Sequence, residues 1–488
     1  MKRAGLSRRT VLQAGVGACL TDFLPAAQAS DSTERDTYTD ILIIGGGGAG
    51  LAAAARASRL GAKVLLCEKM PAIGGNTRIA SGYITGVWPK YQTPHEIRDS
   101  VEKYRAAITE NAGPGADPAR IARLADASTA TLEWLEAIGL RFHQDVYIVS
   151  GEHFPRTYKP LSANGEGLVS TLSAEALRHH ARIRTGTAAV QLLRDARSGR
   201  VTGAVVEEEG VRETVRARLG VLLAAGGFAA NDALVARFAP RFVGLTHNNA
   251  PGATGEMLLA AEALGAMLVD TDKIQCQPGC PPGRSYRVRL HNEPNRFILI
   301  SKSGERFVRE DERRDRLRDA VLALPGQLAY AVVDDAGLRS YNRLIQKETV
   351  WGVETGDAFT ADTVDELARA VGVPEANLRL TIERYNDAVH IQRDRFGKDM
   401  TFCSPIAVPP FWACFAGMTR HATEGGIAVT PAGRVLSVDG SVIPGLWAAG
   451  EITGGLHGEN QMGGNGLADA LTFGRLAAED MIGYSTKG

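Results

Sequence analysis

The feature that most constrains this chain is a strand–turn–helix pattern near its start. An apolar strand leads into the glycine turn GGGGAG (residues 45–50), an Ala-rich helix and a second apolar strand that ends at Glu68. Gly45 permits the tight turn, Gly47 lets phosphates approach the backbone, and Gly50 lets the helix pack close to the strand. Backbone N–H groups at the start of such a helix bind a pyrophosphate, and the acid accepts hydrogen bonds from a ribose. The pattern predicts a dinucleotide site.

A second glycine-rich segment, near the C-terminus, is typical of the other half of the same site. Residues 443–475 contain an apolar strand, a glycine turn and the start of a helix that runs from about Gly466 to Ile482. Between Lys273 and Gly417 such glycine turns become rarer and Arg becomes more frequent. We therefore expect the intervening residues to leave the first sheet and form an inserted domain.

These patterns predict an α/β fold, in which a Rossmann-like nucleotide-binding domain carries an inserted α+β capping domain. A length of 488 residues is sufficient for two or more domains. The predicted boundaries are 38–272 and 418–488 for the nucleotide-binding domain and 273–417 for the capping domain.

The N-terminus is predicted to be a signal peptide over residues 1–29. It has a basic start, a modest apolar stretch and the sequence Ala-Gln-Ala before the predicted cleavage site. The segment SRRTVLQ (residues 7–13) resembles a twin-arginine export signal, and that route carries folded proteins. This predicts a periplasmic protein that acquires its cofactor before export. An uncleaved anchor or a chance Arg pair is the alternative.

Composition adds several negative expectations. The formal net charge is zero, so nothing favours nucleic acid as a partner, and the apolar N-terminal stretch is short for a membrane span. No C-x-x-C-H motif and no Cys cluster is present, so we expect no c-type haem, no iron–sulfur centre and no metal site. Cys276 and Cys280 flank QPG and either form a disulfide or stay free thiols.

Six motifs taken together resemble the flavoprotein subunits of the fumarate reductase and succinate dehydrogenase superfamily, especially soluble periplasmic flavocytochrome-type fumarate reductases. The resemblance covers nearly all of residues 38–485. It implies FAD as the cofactor and a capping domain that closes over the flavin. The motifs are GGGGAG (45–50), GGNT (74–77), AAGGF (224–228), GERFVREDERRD (304–315), HATEGG (421–426) and AAGEITGGLHGENQMGGN (448–465).

The resemblance and the glycine pattern together assign a set of FAD-binding residues. It implies that Glu451 contacts the ribityl or ribose region and that the helix beginning near Gly466 directs N–H groups at the flavin carbonyl edge. Membrane-bound relatives attach FAD through a His near GGNT, and no His occurs between Glu68 and Lys90, so we expect non-covalent FAD. The assigned residues are Gly45, Gly47, Gly48, Ala49, Gly50, Glu68, Lys69, Gly74, Gly75, Asn76, Thr77, Gly82, Ala225, Gly226, Glu451, Gly466 and Leu467.

The resemblance also implies a reaction, which is hydride transfer between flavin N5 and a C=C bond conjugated to a carboxylate. Arg314 matches the family's proton donor, and His421 matches its substrate-carboxylate ligand. Because a free Arg has a pKa above about 12, it can act as an acid only when held close to substrate and resupplied with protons. The alternatives are a solvated basic face at Arg313, Arg314 and Arg316, and a structural His.

Three positions depart from the family pattern. The H-G-x-N-R motif, whose Arg clamps a substrate carboxylate, begins here at His457 and ends in Gln461, and a neutral amide does not replace that bidentate clamp. Gln277 stands where the family has His before Pro, and ungapped spacing places Leu290 and Glu293 at the usual relay positions.

These departures predict a reductase of an activated C=C bond whose substrate is not fumarate. The substrate is either an unsaturated acid with one carboxylate or an enone. We expect it to be bound by Gln461, Gln277, His457 and Arg289. Arg289, Arg287 or Arg420 replaces the positive charge that is lost where the family's Arg is Gln461. Electrons come from a separate donor such as a c-type cytochrome. Two alternatives remain. One is a dehydrogenase that forms a C=C bond, as ketosteroid dehydrogenases do with Tyr residues as acid and base. In this chain Tyr83 and Tyr286 are available for that role. The other alternative is a non-catalytic electron-transfer module.

Overall fold

The described part of the chain contains two large β-sheets, of eight and six strands, two small sheets of two strands each, and helices packed on them. The computed structural model describes residues 36–149, 154–280, 288–292, 294–341 and 343–485. The predicted signal peptide over residues 1–29 lies outside the described residues, and so do Tyr286, Arg287 and Glu293.

The strands differ greatly in length, from two residues to thirteen. They are β1 (Asp36–Ile44), β2 (Val64–Cys67), β3 (Ile84–Thr85), β4 (Thr157–Tyr158), β5 (Arg182–Arg184), β6 (Thr187–Arg194), β7 (Val201–Glu208), β8 (Val211–Leu223), β9 (Thr246–His247), β10 (Leu268–Val269), β11 (Ile274–Gly279), β12 (Ile298–Ile300), β13 (Ala329–Asp334), β14 (Ala358–Ala361), β15 (Phe411–Thr423), β16 (Gly426–Ile427), β17 (Arg434–Leu436) and β18 (Val442–Ala448).

The helices occur both between the strands of the first sheet and around the second. They are α1 (Gly48–Arg59), α2 (Gly75–Ile79), α3 (Pro89–Gln92), α4 (Val101–Ala112), α5 (Pro118–Ala137), α6 (Glu166–Arg178), α7 (Asp232–Phe238), α8 (Glu256–Ala263), α9 (Arg314–Leu322), α10 (Asp335–Ser340), α11 (Arg343–Thr355), α12 (Val364–Val371), α13 (Glu375–Ile391) and α14 (Asn465–Ser485).

The first sheet contains the glycine turn. Its order is β17–β18–β8–β1–β2–β5, and the antiparallel hairpin β6–β7 adds to β8. Strand β1 lies parallel to both β2 and β8, and β18 from the far end of the chain lies parallel to β8. Central parallel strands are buried on both faces, which is why residues 41–44 of β1 and all of β2 are apolar. The predicted Rossmann-like α/β class is confirmed.

Helix packing on this sheet depends on small residues. Helices α6 and α14 pack against α1, whose Ala-rich surface permits a close approach. A Cβ atom at Gly474 of α14 would overlap the backbone oxygen of Ala49 in α1. The first and last helices of the nucleotide-binding sheet therefore lie in direct backbone contact.

The second sheet is centred on β15. Its order is β11–β15–β13–β12, and β9 and β14 also pair with β15. All of these pairs are antiparallel except the short parallel pair of β9 with β15. Strand β15 spans the predicted boundary between residues 417 and 418, and the division into two domains stays a prediction.

Three apolar cores lie between these layers. Ile41 and Ile43 of β1 face the core shared with the helices, whereas Leu42 and Ile44 face a second core. That second core also contains residues of the second sheet, and a third core fills the space between that sheet and α12 and α13. Alternation along β1 thus places the glycine turn at the junction of two cores.

Strand β8 runs without interruption from Val211 to Leu223, although it contains a glycine. Gly220 has φ +148°, and a Cβ there would lie 2.6 Å from the Trp447 ring. The glycine is therefore required by the close approach of β18, and it does not mark a turn.

Candidate functional site

The glycine turn of residues 45–50 has two tightly packed positions and one open position. A Cβ at Gly45, where φ is +109°, would overlap the carbonyl oxygen of Ala224, and one at Gly50 would overlap that of Gly45. At Gly47, the residue before α1, no atom lies within 4 Å of a Cβ position. The turn therefore leaves space at the start of α1, where helix N–H groups favour a phosphate. These residues fit a dinucleotide pyrophosphate.

Glu68 is attached to this turn through both of its oxygens. Its Oε2 accepts a hydrogen bond from Gly46 N at 2.7 Å, and its Oε1 accepts one from Met70 N at 2.8 Å. These bonds fix the carboxylate at the carboxyl end of β2, beside the turn. The predicted ribose contact of Glu68 stays a prediction. The neighbouring Lys69 pairs with Glu256 of α8 at 2.8 Å.

The two halves of the predicted site meet in space. A Cβ at Gly450 would lie 2.9 Å from the Cβ of Ala49 in α1. The Nδ2 of Asn76 donates to Glu451 Oε2 at 3.1 Å and to Asn249 Oδ1 at 2.7 Å. The convergence that the sequence requires of residues 45–77 and 450–467 is therefore present.

Several hydrogen bonds hold the GGNT segment (residues 74–77) in this position. Thr77 Oγ1 accepts from Gly48 N at 2.9 Å, and Asn76 Oδ1 accepts from Ala250 N at 2.7 Å. Glu451 Oε1 also accepts from Thr423 N at 3.1 Å, and burial raises the pKa of the Glu451 carboxyl. Asn76 and Glu451 together connect the first sheet to the end of β15.

The remaining predicted FAD residues surround the same region. Gly226, which follows Ala225, has φ +77° with no atom within 4 Å of a Cβ position. A Cβ at Gly82 would lie 3.2 Å from Asn164 O. Gly466 and Leu467 lie in the first turn of α14. Individual contacts of these residues with FAD stay predictions.

Arg314 is the first residue of α9, which packs on β11 and β15. Its Nη1 donates to Gln275 Oε1 at 3.1 Å, and Gln275 Nε2 donates to the backbone oxygen of Gln461 at 2.8 Å. Burial lowers the pKa of the Arg314 guanidinium. The chain Arg314–Gln275–Gln461 places a cation of reduced pKa beside the segment that precedes α14.

Gln275 is a positioning residue that sequence reasoning missed. It lies two residues before Gln277 on β11, and side chains with this spacing share one face of a strand. That alternation is the signal that could have identified it.

A β-bulge brings His421 to Gln277. The register of β11 against β15 shifts between Gln275 and Cys276, opposite the position of His421. The Nδ1 of His421 lies 3.3 Å from Gln277 Nε2 and 3.1 Å from Asn248 Oδ1. Bulges redirect side chains beside active sites. The structure thus places together two of the residues that the sequence assigned to substrate.

Other predicted substrate residues have partners of their own. His457 Nε2 lies 3.3 Å from Asp469 Oδ2 of α14. Arg289 forms a two-pronged pair with Glu348 of α11, in which Nε lies 2.8 Å from Oε2. The structure does not connect Arg289 to the Arg314–Gln275–Gln461 chain, and its substrate role stays a prediction. Arg420 pairs with Asp232 at 2.5 Å.

Glu424 is a second residue that sequence reasoning missed. Its relative exposure is 1%, the backbone N–H of Gln461 is directed at its carboxyl, and neither oxygen has a well-aligned hydrogen bond from the described residues. Burial raises the pKa of the Glu424 carboxyl to about 7, against the opposing effects of His457 and Arg314. An acidic residue between His421 and the two glycines of HATEGG was the available signal.

Arg120 supports the C-terminal half of the site. It is 1% exposed, donates to the backbone oxygen of Gly454 and to Thr453 Oγ1 at 3.0 Å, and lies 3.9 Å from Asp469. A buried Arg that bonds to two consecutive residues fixes the path of their loop. The segment that leads to His457 is therefore held from α5.

Other features of the described residues concern metals, thiols and membranes. Among them, no group of three or more His, Cys, Asp or Glu is arranged to hold a metal ion. No disulfide joins Cys276 to Cys280. No helix in the described ranges combines the length and the apolar character needed to cross a bilayer.

The fold and the site define a flavoprotein with a two-part nucleotide-binding region. The chain belongs to the FAD binding domain family, whose model matches residues 40–467. The predicted FAD-dependent oxidoreductase class and the resemblance to fumarate reductase flavoproteins are confirmed.

Known proteins similar to this chain include both reductases and dehydrogenases. A fumarate reductase (cytochrome) of Shewanella frigidimarina is 34% identical over 93% of this chain and 79% of its own length. The open conformation of a flavocytochrome c3 fumarate reductase has a TM-score of 0.77 at 30% identity and covers 92% of this chain and 79% of its own. A 3-ketosteroid-Δ4-(5α)-dehydrogenase from Rhodococcus jostii has a TM-score of 0.75 at 29% identity and covers 93% and 98%.

Proposed function

We propose that this chain is an FAD-dependent reductase of the C=C bond in an α,β-unsaturated carboxylate other than fumarate. The observation that carries the proposal is the Arg314–Gln275–Gln461 chain, which holds a partly buried cation against the cofactor half of the site. The similarity to fumarate reductases supports the reaction class. The neutral Gln461 supports the exclusion of a second substrate carboxylate.

The residues of the chain have separate tasks in this reaction. When bound and reduced, FAD would supply the hydride equivalent that the double bond needs, and the residues of the glycine turn and of the GGNT segment would hold it. Arg314 donates a proton to the other carbon and regains one from solvent, which completes the addition of two hydrogens. His421 and Gln277 bind the substrate carboxylate and orient the double bond. Because burial lowers its pKa, Arg314 is a better acid than Arg in water.

The first experiment is anaerobic reoxidation of the dithionite-reduced protein, followed at the flavin absorption band. The panel contains acrylate, crotonate, fumarate and an enone. Fast recovery of the oxidised spectrum with a monocarboxylate, and slow recovery with fumarate, is the expected result. Equal or faster recovery with fumarate would show that Gln461 does not exclude a dicarboxylate, and recovery with no compound would contradict the reductase proposal.

The alternative is a dehydrogenase that forms a C=C bond, and the similarity to the ketosteroid dehydrogenase favours it. Tyr83, the described Tyr of the two that were considered, packs edge-to-face on Tyr147 with ring centroids 5.6 Å apart. Under this alternative a saturated ketone would bleach the oxidised flavin without dithionite. The same spectrophotometric assay, run in that direction, distinguishes the two functions.

The proposal also covers the FAD linkage, the cellular location and the electron donor. FAD is bound non-covalently, since no His occurs between Glu68 and Lys90, and acid precipitation should release all flavin into the supernatant.

The twin-arginine-like segment at residues 7–13 supports export to the periplasm. Because the chain has no C-x-x-C-H haem motif, a separate donor such as a c-type cytochrome supplies electrons. Substituting both Arg8 and Arg9 by Lys should retain the protein in the cytoplasm.

A further inference from the structure

Glu424 is a buried carboxyl whose capacity to accept hydrogen bonds is largely unused. It lies one residue beyond the end of β15, where its backbone N–H donates to Lys273 O at 3.0 Å. Its side chain is 1% exposed, the backbone N–H of Gln461 is directed at the carboxyl, and neither oxygen has a well-aligned hydrogen bond from the described residues. Leaving a buried acceptor unsatisfied is costly, so such a group in a native protein requires an explanation. A hydrogen-bond donor on a bound ligand is one such explanation.

The surroundings of Glu424 place this acceptor in the substrate region. The ionisable groups that act on its carboxyl include His457, Glu451 and Arg314. Arg314 is the proposed proton donor and is bonded to Gln275, which in turn is bonded to Gln461. Glu424 therefore lies beside Gln461. His421 and Gln277 form the other part of the region, to which the proposed function assigns the substrate carboxylate.

The charges at this end do not suit an anion. Gln461 and Gln275 are neutral, and the positive charge of Arg314 faces the carboxyl of Glu424. A second substrate carboxylate would lie beside the carboxyl of Glu424, and the two groups would share the positive charge of Arg314. The repulsion between the two carboxylates would therefore disfavour a dicarboxylate substrate. A hydroxyl, amine or N–H group would instead donate to the unsatisfied oxygens.

We propose that Glu424 is a specificity-determining residue that accepts a hydrogen bond from an O–H or N–H donor on the substrate, at the end of the substrate opposite the carboxylate that His421 and Gln277 bind. The substrate class is thus an α,β-unsaturated monocarboxylate with a donor substituent beyond the double bond. This rests on the proposed reductase function and specifies its substrate.

The test uses four acceptors of similar size that differ at one end. They are γ-hydroxycrotonate and γ-aminocrotonate, which carry a donor, crotonate, which carries a methyl group, and fumarate, which carries a carboxylate. The rate of reoxidation of reduced holoenzyme is measured with each. We expect the better donor compound to exceed crotonate in kcat/KM by about 10- to 100-fold, because a hydrogen bond to a charged group accounts for that ratio.

Two variants identify Glu424 as the cause. In Glu424→Leu the ratio of the donor compound to crotonate should fall to about one, and in Glu424→Gln, which keeps an acceptor oxygen, part of it should return. Glu175→Gln is the matched control, since Glu175 is a fully buried carboxylate on α6 that pairs with Arg59 and Arg178. Its ratio should equal that of the wild type.

Each other outcome contradicts a defined statement. If wild-type enzyme reduces crotonate as fast as the donor compounds, the specificity proposal is wrong while the reductase proposal stands. If none of the four acceptors reoxidises the flavin, the reductase proposal itself fails. If Glu424→Leu changes the flavin spectrum and slows all four acceptors by the same factor, Glu424 is a partner of the flavin and the substrate assignment is overturned.

Discussion

At the residue scale, the site is defined by two ionisable groups whose environments shift their pKa values. Burial lowers the pKa of Arg314 and raises that of Glu424, so each charge is less stable than it would be in water. Groups with perturbed pKa values in one region are typical of catalytic sites. Both groups lie beside the neutral Gln275–Gln461 connection, which positions them without adding charge.

Arg314 can be tested directly. In Arg314→Ala, kcat should fall by about 100- to 10,000-fold while FAD content stays unchanged, because general acid catalysis contributes a factor of that size. Arg316→Ala is the control, since the Arg316 side chain is 66% exposed and pairs with Glu312 on the protein surface. Stopped-flow reoxidation measures both variants. Normal turnover of Arg314→Ala would remove Arg314 from the mechanism.

Glu424 predicts a pH dependence of stability. Its carboxyl has a pKa near 7 in the folded state and an ordinary value of 4.5 in the unfolded state, so the folded state binds more protons between these values. The free energy of unfolding should therefore decrease as pH rises from 4.5 to 7, by at most about 1.4 kcal/mol per pH unit. Denaturant titrations of wild type and Glu424→Gln should diverge across this window. Parallel curves would contradict the assignment.

At the element scale, different glycines of the turn serve folding and cofactor binding. Gly50 is required for α1 to pack against the turn, whereas the Cβ position of Gly47 is in open space. Gly47→Ala should keep the melting temperature of the flavin-free protein and lose most bound FAD, because a methyl group would occupy the phosphate position. Gly50→Ala should lower the stability of the fold itself, by about 1–3 kcal/mol. Flavin absorbance and thermal unfolding separate the two effects.

The elements around the turn were predictable because their causes are local. Glycine spacing between strand and helix is enough to define β1, α1 and β2, and their functional motif follows from the same residues. The resemblance assigned His421 and Gln277 to the substrate separately, and their contact is a finding of the structure. Gln275 and Glu424 were missed because their roles depend on the pairing of β11 with β15, a long-range register that local periodicity does not contain. The ion pair of Arg289 with Glu348 is likewise a tertiary contact that local sequence patterns do not predict.

At the scale of the whole molecule, α9 is connected to the first sheet's helices by Arg313. Its Nη1 and Nη2 donate to the backbone oxygens of Glu110, at 2.9 Å, and Asn111, at 3.0 Å, at the end of α4. The Lys273–Glu459 ion pair, at 3.1 Å, makes a second connection between the same regions. These contacts hold Arg314, the next residue after Arg313, against the cofactor half.

Loss of this connection should weaken substrate binding more than chemistry. In Arg313→Ala we expect KM to rise about tenfold with a smaller change in kcat, because the competent arrangement becomes a smaller fraction of the molecules. The measurement is steady-state kinetics with the best acceptor of the panel, and Arg316→Ala again serves as the control. A fall in kcat at constant KM would instead assign Arg313 to the chemical step.

The joining of Asn76 to Glu451 has a consequence for biosynthesis. These partners are 375 residues apart in sequence, and the last helix rests on the first one. Contacts of such separation form late, since a long loop must close before they are gained. A ribosome has made nearly the whole polypeptide before the second half of the cofactor site exists. Loading of FAD is therefore a post-translational event, and every shortened product of translation that lacks α14 is released without its cofactor.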